Sequence, residues 1–407
     1  MVRYLVRVAE GRQEEVSRSL RMMGFRVVKR FNTYISVEAP DGVEEKILSI
    51  SGVISVERER TYTISSFINI PVEKQLVQFI KLGGPINPVA MIYVATQSLG
   101  KDRWATSESR TALGADIADK MGISGKGVTV AVLDTGFDIL GCPQKRDLEF
   151  IASTMEGDPN PLDNNGHGTH CLTTINGDPI STPFGNLMGV ANGSTIGAVK
   201  VLGYLIGSGS LLDVMEGIAT AVYHGAKVIS MSLGSTVGPE ERHDPTTCPL
   251  CKFIEDLANR GYIFCIAAGN DGEGYASCPG ASRGAITVAA LDKSFKRAEF
   301  SSCKHPDYIN HSKPDIGAPG VNIGASTCGL IDVMNWYEGP KIAFISGTSM
   351  ATPHIAGLMA LWSEYAKKKG INLTRDIVMD IFRIYSKWNS EVGYGLPKFE
   401  WIVDYLK

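Results

Sequence analysis

The chain has 407 residues and a formal net charge of -3. At about 150 residues per domain that allows two or three domains with a sizeable core. The balanced charge excludes the basic footprint of a dedicated nucleic-acid binder. No apolar run is long enough to cross a bilayer, so no membrane partner is expected.

Met1–Arg7 is charged and alternating, unlike a secretory leader. That points to the cytoplasm, with an extracellular protein as the alternative if a leader has been removed. Val2–Val8 alternates like a strand, Gln13–Met23 fits a helix ended by Gly24, and Phe25–Phe31 and Thr33–Val37 are strand-like. Asp41–Ile50 reads as a second short helix and Val53–Val56 as a last strand. The order βαββαβ is that of a small ferredoxin-like α+β unit over 1–65. Residues 66–110 read as a linker: Val72–Leu82 could be helical, Gly83–Pro88 is a breaker cluster, and Gly100–Arg110 is polar and expected to be exposed. All eight cysteines lie at or beyond Cys142, so the first third of the chain is set apart.

From about 121 the pattern changes. Val128–Leu133, Thr195–Leu202, Lys227–Met231, Tyr262–Ala268 and Ala285–Ala290 are apolar runs suited to strands buried on both faces. Between and after them, His167–Ile175, Leu211–His224, Cys251–Arg260 and Ser349–Lys369 are helical. The alternation predicts an α/β domain over 111–407, a parallel sheet with helices on both faces and its ligand site at the carboxyl ends of the strands.

Three segments carry chemistry. Asp134 ends the first buried run, in Asp134-Thr135-Gly136. His167 stands between glycines in Asn165-Gly166-His167-Gly168-Thr169-His170. Ser349 heads a helix in Ser346-Gly347-Thr348-Ser349-Met350-Ala351-Thr352-Pro353-His354, with Pro353 expected in the first turn, where its missing N–H costs little. Each alone has an ordinary reading as a turn or cap residue. Together they suffice for acyl transfer: a serine nucleophile, an imidazole base, and a carboxylate to orient it. Asn270, at the end of an apolar strand, and the Ser349 backbone N–H could hold the oxyanion.

The three segments resemble the signatures of the subtilisin-like serine proteases, the subtilases, over about Gly125 to Gly395. The resemblance implies a serine endopeptidase of broad specificity, with Asp134, His167 and Ser349 as the triad and Asn270 as oxyanion donor. It implies that Gly207-Ser208-Gly209 and Ser232-Leu233-Gly234 pair with extended substrate. It also implies a primary specificity pocket floored by Ala267-Ala268-Gly269 and the Ser277–Gly280 region. Residues 1–65 are then similar to the family's propeptide, an intramolecular chaperone and inhibitor whose tail, near Glu57–Thr63, lies in the cleft until a cut between about Arg60 and Arg110 releases it. Polypeptides are the expected partners, and a monomer is expected.

Calcium is the cofactor that the resemblance brings, with Asp147 as the candidate ligand and no organic cofactor. Asn176, Asp178, Asn186 and the acidic run Glu156–Asp163 are further oxygen sources, equally readable as turn and solvated-loop residues. Cys171 follows the histidine motif, as in the proteinase K-like branch. Cys248-Pro249-Leu250-Cys251 resembles half a zinc site, with His243, Cys265 and Cys278 as conceivable completions; a disulfide and plain thiols are the alternatives.

Overall fold

A computed structural model describes residues 1–64, 67–68, 103–144, 148–183, 185–203, 207–235, 244–303, 312–334 and 341–407. Within the first 58 residues, strands Val2–Val8, Arg26–Phe31, Tyr34–Ala39 and Val53–Arg58 form an antiparallel sheet in the order second, third, first, fourth. Helices Gln13–Met22 and Glu44–Leu48 complete the βαββαβ order. The period-two pattern explains the packing. Tyr4, Val6 and Val8 point to one face, into a small core with Val16, Leu20, Ile35, Val37 and Ile47. Leu5 points to the other face and is buried against the larger unit, beside Tyr62 and Leu212. The predicted Asp41–Ile50 helix is shorter than its sequence signals: helical geometry begins only at Glu44.

The larger unit is built on seven parallel strands. Across the sheet they run Ile316–Pro319, Ala285–Leu291, Ile263–Ala267, Val228–Met231, Thr129–Asp134, Thr195–Lys200 and Phe150–Ser153. The two edge strands, Phe150–Ser153 and Ile316–Pro319, are short and escape the sequence pattern. Helix Thr348–Lys368 is buried from Thr348 to Ala366, as an all-round apolar helix must be. Among the described residues, no helix is long and apolar enough to cross a membrane.

Two expectations are corrected. The stretch before Arg110 is not exposed throughout: Trp104, Ser109 and Arg110 are buried. The Arg110 guanidinium bonds Asp119 through both Nη atoms (2.8 and 3.0 Å) and the Gly189 carbonyl (3.0 Å), so its charge is matched inside the fold. Pro353 is not in the first turn, because the helix already begins at Thr348. It lies in the interior, where it removes the N–H that would bond the Ser349 carbonyl. Val72–Leu82 and Gly83–Pro88 lie outside the described residues, so the linker reading rests on sequence.

The N-terminal sheet sits on helices Leu211–Tyr223 and Pro249–Asn259 of the larger unit. Phe31 meets Phe253 edge-on, with ring centroids 6.1 Å apart. Lys29 Nζ lies 2.7 Å from both Asp213 and Glu216, and Arg3 and Arg26 reach Glu156 at 3.3 and 3.4 Å. Burial alone would lower the Lys29 pKa, but the Asp213 carboxylate, with Glu216, holds it above the ordinary lysine value. Lys29→Met would leave the Asp213 carboxylate buried with its capping bonds to Ser210 and the Glu156 N–H (3.3 Å) but no cation. The expected loss is about 2 kcal/mol of docking free energy. Amide hydrogen exchange across Arg26–Ala39 should accelerate accordingly, and unchanged protection would show that the ion pair does not hold the two units together.

Candidate active site

Asp134 closes the central strand Thr129–Asp134, and His167 opens helix His167–Asn176. Both are fully buried. His167 Nδ1 lies 2.7 Å from Asp134 Oδ1, whose orientation is held by the Thr135 N–H (2.8 Å). That approach needs two glycines. Gly136 has φ +106°, and a Cβ there would meet the Pro161 carbonyl at 2.4 Å; a Cβ on Gly168 would meet the Gly136 carbonyl at 2.3 Å. Burial alone would lower the His167 pKa, but the Asp134 carboxylate, aided by Cys171, holds it well above the ordinary histidine value.

Asp163 is a positioning residue that sequence reasoning assigned only to an acidic loop. Its Oδ1 accepts from Thr135 Oγ1 (2.9 Å) and the N–H groups of Asn165 (3.0 Å) and Gly166 (2.8 Å). Its Oδ2 accepts from the Thr169 N–H (2.9 Å) and Oγ1 (2.7 Å). One carboxylate thus ties the turn after Asp134 to the start of the His167 helix. Its place two residues before Asn165 is the only sequence signal it carries.

Ser349 is the second residue of its helix. Its Oγ donates to the Ser232 carbonyl (2.9 Å), and Ser232 Oγ donates back to the Ser349 carbonyl (2.8 Å). Cys171 Sγ donates to the same carbonyl at 3.5 Å. These donors stand where the Pro353 N–H is missing, which gives Cys171 a structural role beneath the site. His167 Nε2 is buried and has no hydrogen-bond partner among the described residues. Asn270 Oδ1 accepts from the Thr348 N–H and Oγ1, both at 3.0 Å, which turns the amide NH₂ away from Thr348 as a donor.

The predicted substrate strands come together around the chain's own N-terminal part. Thr61–Ile64 lies antiparallel between Ser208–Ser210 and Leu233–Ser235. Gly209 stands opposite Tyr62 and Ser208 opposite Thr63; Gly234 stands opposite Thr63 and Leu233 opposite Ile64. The Ile64 N–H donates to the Gly207 carbonyl (3.2 Å). Beyond it, Phe67–Ile68 pairs antiparallel with Ile345–Ser346, just before Ser349. Ala267 and Ala268 are buried, Ala268 accepts from the Ser277 N–H (3.0 Å), and Gly269 leads directly into Asn270.

Several of the residues considered for calcium make bonds within the fold. Asp147 lies outside the described residues. Asn176 Nδ2 donates to the Ser194 carbonyl and Oγ (2.7 and 3.0 Å), and Asn186 Oδ1 accepts from Ser181 Oγ (2.9 Å). Gln144 Nε2 donates to the Asp178 carbonyl (2.9 Å). Asp158 pairs with the buried Lys200 at 2.7 Å, and Glu156 holds Arg3 and Arg26. Calcium takes six to eight oxygens. Among the described residues, two groups of three or more metal-ligating side chains converge, Cys248–Cys251–Cys278 and Asp134–His167–Cys171, and neither is an oxygen set. No step is derived through calcium.

Comparison with known proteins accords with this geometry. The model of the subtilase family matches residues 125–395. M-protease of Shouchella clausii is 30% identical over 341 residues, which span 84% of this chain and 80% of that protein. Subtilisin Savinase of Lederbergia lenta is 36% identical over 247 residues, 61% of this chain and 80% of that protein. Serine protease AprX of Bacillus subtilis is 35% identical over 291 residues, 66% of this chain and 63% of that protein. A parallel sheet with the Asp134–His167 pair at its carboxyl edge, lying within the segment 125–395 that the family model matches, places the chain among the subtilases, as a subtilisin-like serine endopeptidase.

Proposed function

We propose that the protein is made as a self-inhibited precursor that cuts its own chain and then hydrolyses polypeptides with broad specificity. In this reading Ser349 Oγ exchanges its bond to the Ser232 carbonyl for one to His167 Nε2, gives up its proton there and attacks the scissile carbonyl. Asp134 keeps Nδ1 protonated and stabilises the imidazolium. The Asn270 amide and the Ser349 N–H receive the oxyanion, with Thr348 holding the amide in place. His167 then protonates the leaving amine, and the acyl-enzyme is hydrolysed by water with the roles reversed. Main-chain pairing to Gly207-Ser208-Gly209 and Ser232-Leu233-Gly234 reads backbone rather than side chains, which supports broad specificity.

The observation that carries the precursor reading is the strand Thr61–Ile64 in the cleft. Leu233 faces Ile64, so Ser232 follows directly on the last described pair of this ladder. The Ser232 carbonyl is the group that the Ser349 hydroxyl bonds. Pairing resumes with Phe67 opposite Ser346 on the far side of Ser349. Ser65 and Ser66 lie outside the described residues; the register on both sides supports a cut at the bond between them. Residues 1–65 then act as the propeptide, chaperone and inhibitor at once, on a monomeric enzyme. The extracellular alternative suits this reading, since the restraint ends once the N-terminal unit is cut away.

Intact mass followed over time on wild type and Ser349→Ala should show an N-terminal fragment ending at Ser65 from wild type only. If both stay whole, self-processing is wrong; a fragment ending elsewhere moves the cut. One oxyanion donor is worth about 10²–10³ in turnover in subtilisin itself, and Asn270→Ala should lose about as much. An unchanged kcat would remove Asn270 from the mechanism. The raised His167 pKa sets the acid limb of kcat/KM: the base must be neutral, so activity falls as pH drops through a value above about 6.5. The stability contributed by the His167–Asp134 pair has the opposite sense, present below about 6.5 and lost as pH rises through the raised value. A pH–rate profile flat down to about pH 4 would contradict a histidine base.

A further inference from the structure

Cys248, Cys251 and Cys278 meet beneath the inhibitory strand, and none of the mechanism uses them. All three are buried and none forms a disulfide. Cys278 Sγ lies 3.6 Å from Cys248 Sγ and 3.7 Å from Cys251 Sγ, and the three sulfurs are mutually within 4.8 Å. Of the completions considered from sequence, Cys278 joins the pair. Cys265 lies in the separate core on the other side of the sheet, and His243 is outside the described residues. A tetrahedral zinc-class ion with metal–sulfur bonds of about 2.3 Å spaces its sulfurs by about 3.8 Å. A disulfide instead needs about 2.05 Å. The observed spacing already matches the first.

We propose that Cys248, Cys251 and Cys278 form a site for one thiophilic divalent d¹⁰ cation, at the floor of the pocket that holds the Tyr62 side chain. Binding breaks three S–H bonds, forms three metal–sulfur bonds and releases up to three protons, with no change of oxidation state. Two features favour the thiolates so formed. Arg60 Nη1 lies 3.8 Å from Cys248 Sγ and offsets their charge. Cys248 is the N-cap and Cys251 is in the first turn of the eleven-residue helix Pro249–Asn259, at its positive end. Tyr62 Oη lies 3.4 Å from Cys278 Sγ, which sets the phenol of the inhibitory strand against the cluster.

The test uses full-length, reduced, chelator-treated Ser349→Ala protein, titrated with Cd²⁺. One equivalent should produce a thiolate-to-metal ultraviolet absorption band with proton release into weak buffer. Cys248→Ser should weaken binding at least about tenfold, the lower bound for losing even a supporting group of a metal site. Serine is itself a favoured N-cap, so the helix start is preserved in that variant. Cys278→Ser, checked for native circular dichroism, should behave alike. Cys171→Ala, which dismantles the other convergence, should keep the band. Absence of a one-equivalent band, or a band kept by Cys248→Ser and Cys278→Ser but lost with Cys171→Ala, overturns the proposal. The readout is ion binding rather than turnover, so its failure leaves the protease reading standing.

Discussion

A helix of 21 residues that is apolar on every side is stable in water only when enclosed. The enclosure of Thr348–Lys368 organises the rest of the molecule. Helix His167–Asn176 packs along it, the central strands lie against it, and Phe399–Tyr405 covers its other flank. Its N-terminus is thereby brought to the carboxyl edge of the sheet, where Asp134 also ends its strand. Asp134, His167 and Ser349 come from elements separated by long stretches of chain, and one packing requirement brings these elements together.

Proline in that helix shows how function and packing share atoms. Pro353 removes one backbone bond and exposes the Ser349 carbonyl inside the protein. Ser232 Oγ and Cys171 Sγ satisfy it. Ser232 in turn leads into Leu233–Ser235, so the same contact links the serine to the edge that pairs with Thr61–Ile64. The cysteine in the histidine helix thereby has a packing reason that needs no chemical role.

The cleft is an unpaired edge on both sides, and unpaired edges recruit strands. Here the recruit is Thr61–Ile64, held from behind by the ion pairs of Lys29 and Arg3 and by the Leu5 face of the N-terminal sheet. The second face of that sheet is therefore partly covered: Leu5 and Ser36 are buried, while Arg7 and Ser55 stay exposed. Its outer alternation in sequence looks like a solvated face only because the covering surface lies more than a hundred residues away.

The sequence by itself determined the layered α/β architecture, the βαββαβ order of the first unit and the Asp134, His167 and Ser349 segments. Those signals are local: hydrophobic period, glycine turns and short runs of residue types. Only the tertiary structure decided the features that depend on distant contacts. Asp163 ties two turns together through five hydrogen bonds, and its place in an acidic run just before Asn165 does not disclose them. Arg110 is buried because Asp119 and Gly189 receive it. Pro353 falls inside its helix because the first turn forms earlier than the serine suggests. Cys278 joins Cys248 and Cys251 across the fold, a convergence that spacing along the chain does not encode.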